Sequence, residues 1–387
     1  MPVGPELNKM MRQTNVLQCL DCGKCTATCP AAIARHEFSP RRVIELALMG
    51  PYGKDQVELD RHLWDCLTCG KCTNYCPSEV SFPEFVRMVR AWSADKGNRS
   101  VINHAGMTYH VADAMANQEL EQKRLGWVKD TQVSDKGEVL FFTGCVNYFD
   151  VYFNSLGIDG GANILNNVVK IMNKAGIVPA VMPQEVCCGH DQIWSGDLET
   201  FKALAQKNIK RIAATGAKLI VTACPECTTT LKNDYKEHLG ADLEVMHISQ
   251  YLAKLIKEGK LELKKDDQKV TFHDPCRLVQ HLGFVEPPRE VIRAIDPEGF
   301  VEMKESGKMA SCCGTTLWRG CDALSEVIRH DRLQQAQDTG AKVLLTACPK
   351  CQIHFRCTLS AKCSEGDEKP NFVVKDLVTY VAENLKE

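Results

Sequence analysis

The sequence predicts an α-helical N-terminal domain followed by an α/β unit that occurs twice. From residue 139 onward, short apolar runs typical of strands alternate with helical patterns, which indicates α/β units with mostly parallel sheets. The segment TGAKLIVTACPEC at residues 215–227 recurs as TGAKVLLTACPKC at residues 339–351, so the unit is a duplicated structure of about 120 residues. The expected parts are a helical domain over 1–128, a polar linker over 129–138, a first α/β repeat over 139–262 and a second over 268–387.

Local signals place individual elements within these parts. In the helical domain, the hydroxyl of Ser39 followed by Pro40 predicts a helix start, and Pro83 predicts another. In the first repeat, Asp197 predicts the start of a long helix. Strands are predicted at residues 139–142, 177–181 and 218–222.

Composition and charge limit the classes of function. The 387 residues are 44% hydrophobic and 25% charged with a formal net charge of −2, which is ordinary for a soluble globular protein and gives no field that would recruit nucleic acid. The longest apolar run is far shorter than the roughly 20 residues that span a bilayer, and the N-terminus lacks the apolar core of a signal peptide. We therefore expect a cytoplasmic protein with no membrane span and no nucleic-acid partner, which associates with a membrane only through a partner subunit.

The chain has 21 cysteines, and their clustered spacing indicates metal binding rather than disulfides. Eight of them form two CxxCxxCxxxCP runs, the spacing of two-cluster bacterial ferredoxins, in which the fourth cysteine of each run binds the other cluster. One 4Fe–4S cluster is expected to use Cys19, Cys22, Cys25 and Cys76, and the other Cys66, Cys69, Cys72 and Cys29. Zinc is the alternative, but a four-ligand zinc site needs neither the third regularly spaced cysteine nor the following proline.

Ten further cysteines form two sets of five on one plan: a lone cysteine, a Cys-Cys-Gly doublet and a CxxC pair. The first set is Cys145, Cys187, Cys188, Cys224 and Cys227, and the second is Cys276, Cys312, Cys313, Cys348 and Cys351. An ordinary 4Fe–4S cluster uses four cysteines, so the fifth thiol either belongs to an unusual cluster with partly open irons or is a spare beside an ordinary one. Because the lone cysteines and CxxC pairs follow predicted strands, each set is expected to converge on one site.

These motifs resemble the heterodisulfide reductase family. The twofold Cys, Cys-Cys-Gly, CxxC arrangement looks like that family's CCG domain. The N-terminal quarter looks like its C-type component and residues 139–387 look like its B-type component, and their fusion in this order resembles its D-type component. The resemblance implies two cubane 4Fe–4S clusters that transfer electrons and two noncubane 4Fe–4S clusters that flank a disulfide and cleave it reductively. It assigns a catalytic part to the doublet cysteines Cys187, Cys188, Cys312 and Cys313.

The same family implies an alternative function. CCG proteins also serve as iron–sulfur subunits of lactate, glycolate and glycerol-3-phosphate dehydrogenases and of the benzoyl-coenzyme A reductase complex, where they link a flavin dehydrogenase to a quinone, a cytochrome or another redox partner. This sequence has no GxGxxG fingerprint and no phosphate loop, so no flavin or NAD site is expected in the chain itself. Other redox subunits are therefore the expected partners (a flavoprotein, a membrane cytochrome b or a hydrogenase-linked subunit), and a disulfide or thiol is the expected substrate of the enzyme.

Residues next to the cysteines are further catalytic candidates. His190 follows the first doublet and His273 lies three positions before Cys276, so either imidazole is a candidate proton donor to a departing thiolate, with a backbone hydrogen bond as the alternative. Arg277 and Arg319 are candidates for binding a substrate carboxylate or phosphate, with a surface salt bridge as the alternative. The cysteines outside the repeated pattern are interpreted as ordinary thiols: Cys321, Cys357 and Cys363.

Overall fold

The computed structural model combines a helical N-terminal part with two parallel β-sheets covered by helices. It describes residues 5–49, 57, 60–99, 102–117, 120, 122–154, 160–295, 297–314, 316–318, 321–360 and 370–386. Across these ranges, no helix has both the length and the apolar character needed to cross a membrane.

The N-terminal part is built from helices, and its described residues contain no β-strand. The α-helices are Pro5–Gln13, Lys24–Thr28, Pro30–Ala34, Pro40–Leu48, Lys71–Asn74, Phe82–Ala94 and Met107–Asn117. Short 3-10 helices are Val16–Gln18, Arg61–Trp64, His104–Gly106 and Arg124–Trp127. The predicted start at Pro40 is confirmed, because the Ser39 hydroxyl accepts a hydrogen bond from the Arg42 N–H at 3.0 Å. The second predicted helix begins at Phe82, one residue before Pro83.

The first repeat forms a three-stranded parallel sheet in the order β1–β2–β3. Its strands are Val139–Phe142 (β1), Leu219–Thr222 (β2) and Val245–His247 (β3). Its α-helices are Val146–Tyr152, Gly161–Lys174, His190–Ser195, Leu198–Thr215, Pro225–Thr229, Tyr235–Leu239 and Ile248–Lys257, and the π-helix Thr230–Asp234 joins two of them. As predicted, Asp197 caps the long helix by accepting a hydrogen bond from the Thr200 N–H.

The second repeat has the same plan with one additional short strand. Its parallel sheet has the order β5–β4–β6–β7. The strands are Lys269–His273 (β4), Gly299–Phe300 (β5), Val343–Thr346 (β6) and Val373–Asp376 (β7). The helices are the π-helix Arg277–His281, Glu286–Ile295, the 3-10 helix Gly307–Met309, Ala323–Gln337, Pro349–Ser360 and Leu377–Glu383. The core strands β1, β2 and β3 therefore correspond to β4, β6 and β7.

One predicted strand does not form. Residues 177–181 make only isolated bridges, in which Ala180 pairs with Ser134 and Leu140. Ala180 donates its N–H to Val139 and accepts from Phe141, both at 2.8 Å, whereas the neighbouring Pro179 and Val181 bond to Ser134 on the other side. The N–H of Ile177 is used by the carbonyl of Met172 in the preceding helix, so pairing does not extend along the segment. The apolar run that suggested a strand is therefore an extended segment along the edge of β1.

The N-terminal part packs against both repeats. Helix Phe82–Ala94 contacts helix His190–Ser195 of the first repeat, where Arg87 also pairs with Glu237 at 3.2 Å. Buried apolar residues of the N-terminal part form one continuous core with the cysteines of the second repeat. The two sheets share a separate core, which includes the first repeat's cysteines. This packing brings the second four-cysteine run and both five-cysteine sets into the interior.

Candidate iron–sulfur site

The carboxyl ends of parallel strands position both five-cysteine sets. Cys145 and Cys224 follow β1 and β2, which are neighbours in the first sheet. Cys276 and Cys348 follow β4 and β6, which are neighbours in the second. Because neighbouring parallel strands end at the same edge of a sheet, the lone cysteine and the CxxC pair of each repeat meet there.

Each doublet is followed by a glycine whose conformation and surroundings exclude a side chain. Gly189 and Gly314 have φ values of +86° and +93°, in the left-handed region. A Cβ on Gly189 would lie 2.8 Å from the ring of Phe201, and one on Gly314 would lie 2.6 Å from the carbonyl oxygen of Ser325. The two glycines turn the chain immediately after the doublets, so the Cys-Cys-Gly motif is a single structural unit.

The thiols of both sets form one continuous row. Within the first set, neighbouring thiols follow the order Cys145, Cys187, Cys188, Cys227 and Cys224. Within the second set, the order is Cys276, Cys312, Cys313, Cys351 and Cys348. The Cys224 and Cys348 thiols are themselves hydrogen-bond neighbours, so the two rows meet at their CxxC pairs. Sequence reasoning predicted two sites but not this contact between them.

Access to the row is confined to a few thiols. Cys145, Cys187 and Cys276 are half-buried, whereas the other seven cysteines of the two sets are buried. None of the described cysteines forms a disulfide bond, although Cys188 Sγ and Cys227 Sγ are only 3.5 Å apart. Solvent-accessible positions therefore lie at the lone-cysteine end of each row, and the junction between the rows is buried.

The four-cysteine runs are arranged crosswise. Cys25 lies within electrostatic range of Cys19 and Cys76, and Cys29 lies within range of Cys66. One cavity is lined by the four cysteines expected to bind the first cluster, and Cys72 also borders it: Cys19, Cys22, Cys25 and Cys76. The fourth cysteine of each run thus lies beside the other run, as the ferredoxin spacing requires.

The two runs differ in exposure. Cys22 of the first run is exposed, and the neighbouring Leu20 is 70% exposed. The second run is enclosed, since Cys66, Cys69 and Cys72 are all buried. An identical spacing therefore gives one run at the surface and one in the interior.

This donor set fits iron–sulfur clusters. Burial raises the pKa of Cys29 to about 12 and holds the pKa of Cys72 well above its usual value, so neither thiol ionises at neutral pH without a compensating charge. A coordinated cation supplies that charge, and thiolates are soft ligands suited to iron–sulfur clusters. Groups of four and five neighbouring thiols that form no disulfide bonds are therefore consistent with iron–sulfur clusters bound to them.

The second run docks directly on the second repeat. The Cys69 thiol lies within electrostatic range of Cys276 in the second repeat. The adjacent Thr68 accepts a hydrogen bond from Arg277 Nη2 at 2.8 Å, and its carbonyl oxygen lies 2.9 Å from His281 Nε2. Lys71 Nζ bonds the Ser311 hydroxyl at 2.9 Å and pairs with Glu305 at 3.0 Å. This contact places the second cysteine run of the N-terminal part directly beside the second five-cysteine set.

Arg277 is a candidate substrate-binding residue, but its side chain is already engaged in contacts within the protein at this junction. It is 3% exposed, so the surface salt bridge considered as an alternative is excluded. Besides Thr68 it contacts His281 Nδ1 at 3.1 Å, and its guanidinium carbon lies 3.8 Å from the centroid of the Trp194 ring. The side chain thus joins the N-terminal part to both repeats.

His190 belongs to a buried polar cluster that sequence reasoning missed. Its Nδ1 lies 3.0 Å from Asp191 Oδ1 and 3.4 Å from Glu226 Oε2, while its Nε2 is buried without a hydrogen-bond partner among the described residues. Lys350 of the second repeat reaches Asp191 at 2.7 Å and Glu226 at 2.5 Å. Burial lowers the pKa of His190 to about 4 and raises that of Glu226 to about 8. The sequence does contain a sign of this cluster: the equivalent motifs CPEC and CPKC carry an acidic and a basic residue, Glu226 and Lys350, at the same position.

His273 lies beside the second doublet, together with a second histidine that was not predicted. A ring nitrogen of His273 lies within 4.8 Å of Cys313 Sγ, and His354 Nδ1 lies 3.4 Å from the same sulfur. Burial lowers the pKa of both imidazoles. A backbone hydrogen bond was the alternative considered for His273. Instead, its Nδ1 accepts a hydrogen bond from the Arg332 side chain at 3.0 Å, and its ring lies near a cysteine.

The remaining sequence candidates lie elsewhere. Cys321 accepts a hydrogen bond from Arg329 at 3.7 Å, and Cys357 is half-buried nearby. Neither thiol joins the row of ten. Arg319 and Cys363 lie outside the described residues.

Two family models match the chain in the order of its structural parts. A 4Fe–4S dicluster domain matches residues 15–80, and a cysteine-rich domain matches twice, at residues 139–232 and 270–356. A hypothetical protein from Helicobacter pylori covers 99% of this chain and 72% of its own with a TM-score of 0.54, at 11% identity, so that likeness concerns the fold alone. The chain is therefore an iron–sulfur protein in which a dicluster domain precedes a duplicated cysteine-rich domain.

Curated relatives place it more narrowly. The D component of the dihydromethanophenazine:CoB–CoM heterodisulfide reductase of Methanosarcina barkeri is 33% identical over 68% of this chain and 63% of the relative. The B component of the fumarate reductase (CoM/CoB) of Methanothermobacter marburgensis is 27% identical over 91% of this chain and 69% of the relative. The chain is thus similar to the D component of heterodisulfide reductases, and its match spans less than two thirds of the Methanosarcina relative.

Proposed function

We propose that the chain is an oxidoreductase subunit that passes electrons from two cubane 4Fe–4S clusters to two noncubane clusters, at which a disulfide is reduced. The observation that carries this proposal is the contact between Cys224 and Cys348, which brings the two five-cysteine sets to one junction. A disulfide presents two sulfur atoms, and two adjacent centres match that number. The interpretation with one spare thiol per set is less favoured, because every thiol of each row has a neighbouring thiol on the row.

The proposed ligands follow from the same geometry. The first cubane cluster takes the cysteines that line the surface cavity, and the second takes the enclosed run with Cys29. Each noncubane cluster takes one complete five-cysteine set.

Electron input is assigned to the first run. Cys22 is exposed there and is bordered by Leu20 and Leu17, which are 70% and 40% exposed, so a partner redox subunit has an apolar rim to cover. From the second run, the neighbours Cys69 and Cys276 lead to the second repeat. The junction between the repeats then leads to the first.

The reaction consumes two electrons and two protons: R–S–S–R′ becomes R–SH and R′–SH. The clusters supply single electrons and act as Lewis acids toward sulfur. The half-buried Cys145, Cys187 and Cys276 lie at the accessible ends of the row, from which the disulfide is proposed to reach the buried junction between the two sets. Proton delivery is assigned to His190 together with Glu226, whose side chains lie 3.4 Å apart behind the first doublet.

Electron paramagnetic resonance of the oxidised protein tests this function. Adding a thiol, the reaction product, should generate a new paramagnetic signal from a cysteine-rich centre without changing the cubane signals. A Cys188→Ser variant is the control, since it should remove the signal if that centre is in the first repeat. Full iron content with no thiol-dependent signal would contradict disulfide chemistry.

A second candidate function is electron transfer without a substrate in this chain. The relative named as part of a fumarate reductase covers 91% of the chain, so this architecture also occurs in a complex named for a different reaction. In that case the clusters held by the row of thiols would transfer electrons between a flavin dehydrogenase and a quinone, cytochrome or other redox partner. Full iron content, four redox-active centres and no response to thiols would favour this function.

A further inference from the structure

The two repeats differ most at the second cysteine of the doublet. Three residues before the lone cysteine, the second repeat has His273 where the first has Phe142. Three residues after the CxxC pair, it has His354 where the first has Thr230. Both histidines approach the same sulfur, Cys313 Sγ, whereas the first repeat offers no imidazole at either position.

The hydrogen bonds around His273 fix the position of its proton. Arg332 Nε can only donate, and it lies 3.0 Å from His273 Nδ1, so Nδ1 is the acceptor and Nε2 carries the proton. His273 Nε2 is buried without a hydrogen-bond partner among the described residues, and the His273 ring lies within 4.8 Å of Cys313 Sγ. The ring is also held edge-on against Phe355 at a centroid distance of 4.8 Å. The Nε2–H group is thus available to the Cys313 sulfur.

His354 approaches that sulfur with its other ring nitrogen. Its Nδ1 lies 3.4 Å from Cys313 Sγ, and a thiolate can only accept, so Nδ1 carries the proton toward it. The ring of Trp318 packs edge-on against it at 5.4 Å. Both histidines are at most 4% exposed, which shields these hydrogen bonds from water.

We propose that His273 and His354 donate hydrogen bonds to the Cys313 thiolate and thereby give the second cysteine-rich cluster a higher reduction potential than the first. Hydrogen bonds to cluster sulfurs stabilise the more negative, reduced state and so raise the potential. The second cluster is also the one beside Cys69, so it accepts and holds the first electron from the N-terminal clusters. This inference rests on the proposed function in requiring a cluster at each five-cysteine set.

The test is a redox titration monitored by electron paramagnetic resonance, preceded by an iron count. His354→Thr and His273→Phe install the residues of the first repeat. Each should lower the midpoint of one cysteine-rich centre by about 59 mV or more, equivalent to a tenfold change in its reduced-to-oxidised ratio. The other cysteine-rich centre and the cubane centres should be unchanged.

Conservative variants separate a hydrogen-bonding role from a structural one. His354→Asn places an N–H near the position of Nδ1, and His273→Gln places one near Nε2, so both should restore most of the potential. His330→Thr, at a histidine exposed on helix Ala323–Gln337, is the control and should have no effect. A further control combines either histidine variant with Cys145→Ser, which should remove the cluster of the first repeat. The shifted signal should remain in this combination, because it comes from the second repeat.

The outcomes distinguish the inference from the proposed function. Intact clusters whose potentials do not change in His354→Thr would overturn the inference alone. A wild-type iron content near eight rather than roughly sixteen per chain would overturn both, because no cluster would then occupy the repeats. If His273→Phe loses its cluster, the His354→Thr and His354→Asn pair still decides the question.

Discussion

The two cysteine-rich repeats share a ligand pattern and a sheet plan but differ in what surrounds their thiols. The second set lies against the N-terminal clusters and has two histidines at Cys313. The first set lies beside a polar cluster of His190, Asp191 and Glu226. The cysteine pattern is thus the same in both repeats, while the residues behind it differ. We propose that the repeats accordingly have separate tasks, electron acceptance in the second and proton supply in the first.

Substitution of a doublet cysteine is expected to have the largest effect on either repeat. Cys188→Ser and Cys313→Ser should each remove the cluster of one repeat, lowering the iron content by about four of roughly sixteen atoms per chain and leaving the cubane clusters intact. Iron and sulfide analysis with electron paramagnetic resonance measures this. If either variant kept a normal cluster, the thiol would be a spare one in that repeat.

Removing the cation that joins the repeats comes next. Lys350→Met removes the cation that pairs with the buried Asp191, which then keeps only its contact with His190. The variant should lower the free energy of unfolding by about 3–5 kcal/mol, measured by chemical denaturation of the cluster-loaded protein. The double variant Lys350→Met/Asp191→Asn should recover part of that loss. Equal losses in the single and double variants would show that the pair contributes nothing specific.

The junction with the N-terminal part offers a smaller test. Thr68→Val removes the acceptor for Arg277 and should cost about 1.5–3 kcal/mol, since a buried hydrogen bond to a charged group is lost. Glu237→Gln weakens the exposed contact with Arg87 on the first repeat and should cost at most about 1 kcal/mol. The denaturation midpoints of the two variants compare these junctions directly, and equal shifts would contradict a tighter junction at the second repeat.

The smallest effect is expected far from both sets. Lys218 and Glu138 form an ion pair whose side chains are 79% and 80% exposed. Lys218→Ala should leave the thermal midpoint and the cluster signals unchanged, because solvent screens an exposed pair. A marked loss of stability would show that this end of β2 affects the sites through the sheet.

The sequence predicted the motifs and the elements that carry them. Regular cysteine spacing, the repeated TGAK segments and the cap at Ser39 are local signals, and local signals are retained in the fold. Contacts between repeats depend on how the two sheets pack, so neither the Cys224–Cys348 junction nor the Lys350 contacts followed from spacing. The strand predicted at 177–181 does not form because the segment bridges its neighbours only at Ala180 and its first N–H bonds to the preceding helix.

The pairing of Glu226 with Lys350 bears on how the two repeats associate. These residues occupy equivalent positions in CPEC and CPKC, and they meet where the repeats face each other. In a symmetric dimer of identical repeats, this position would face its own copy, so an acid could meet only an acid and a base only a base. A complementary pair is therefore possible there only because the two copies differ in sequence. It disfavours association of either repeat with a second copy of itself, since an acid would then face an acid or a base a base.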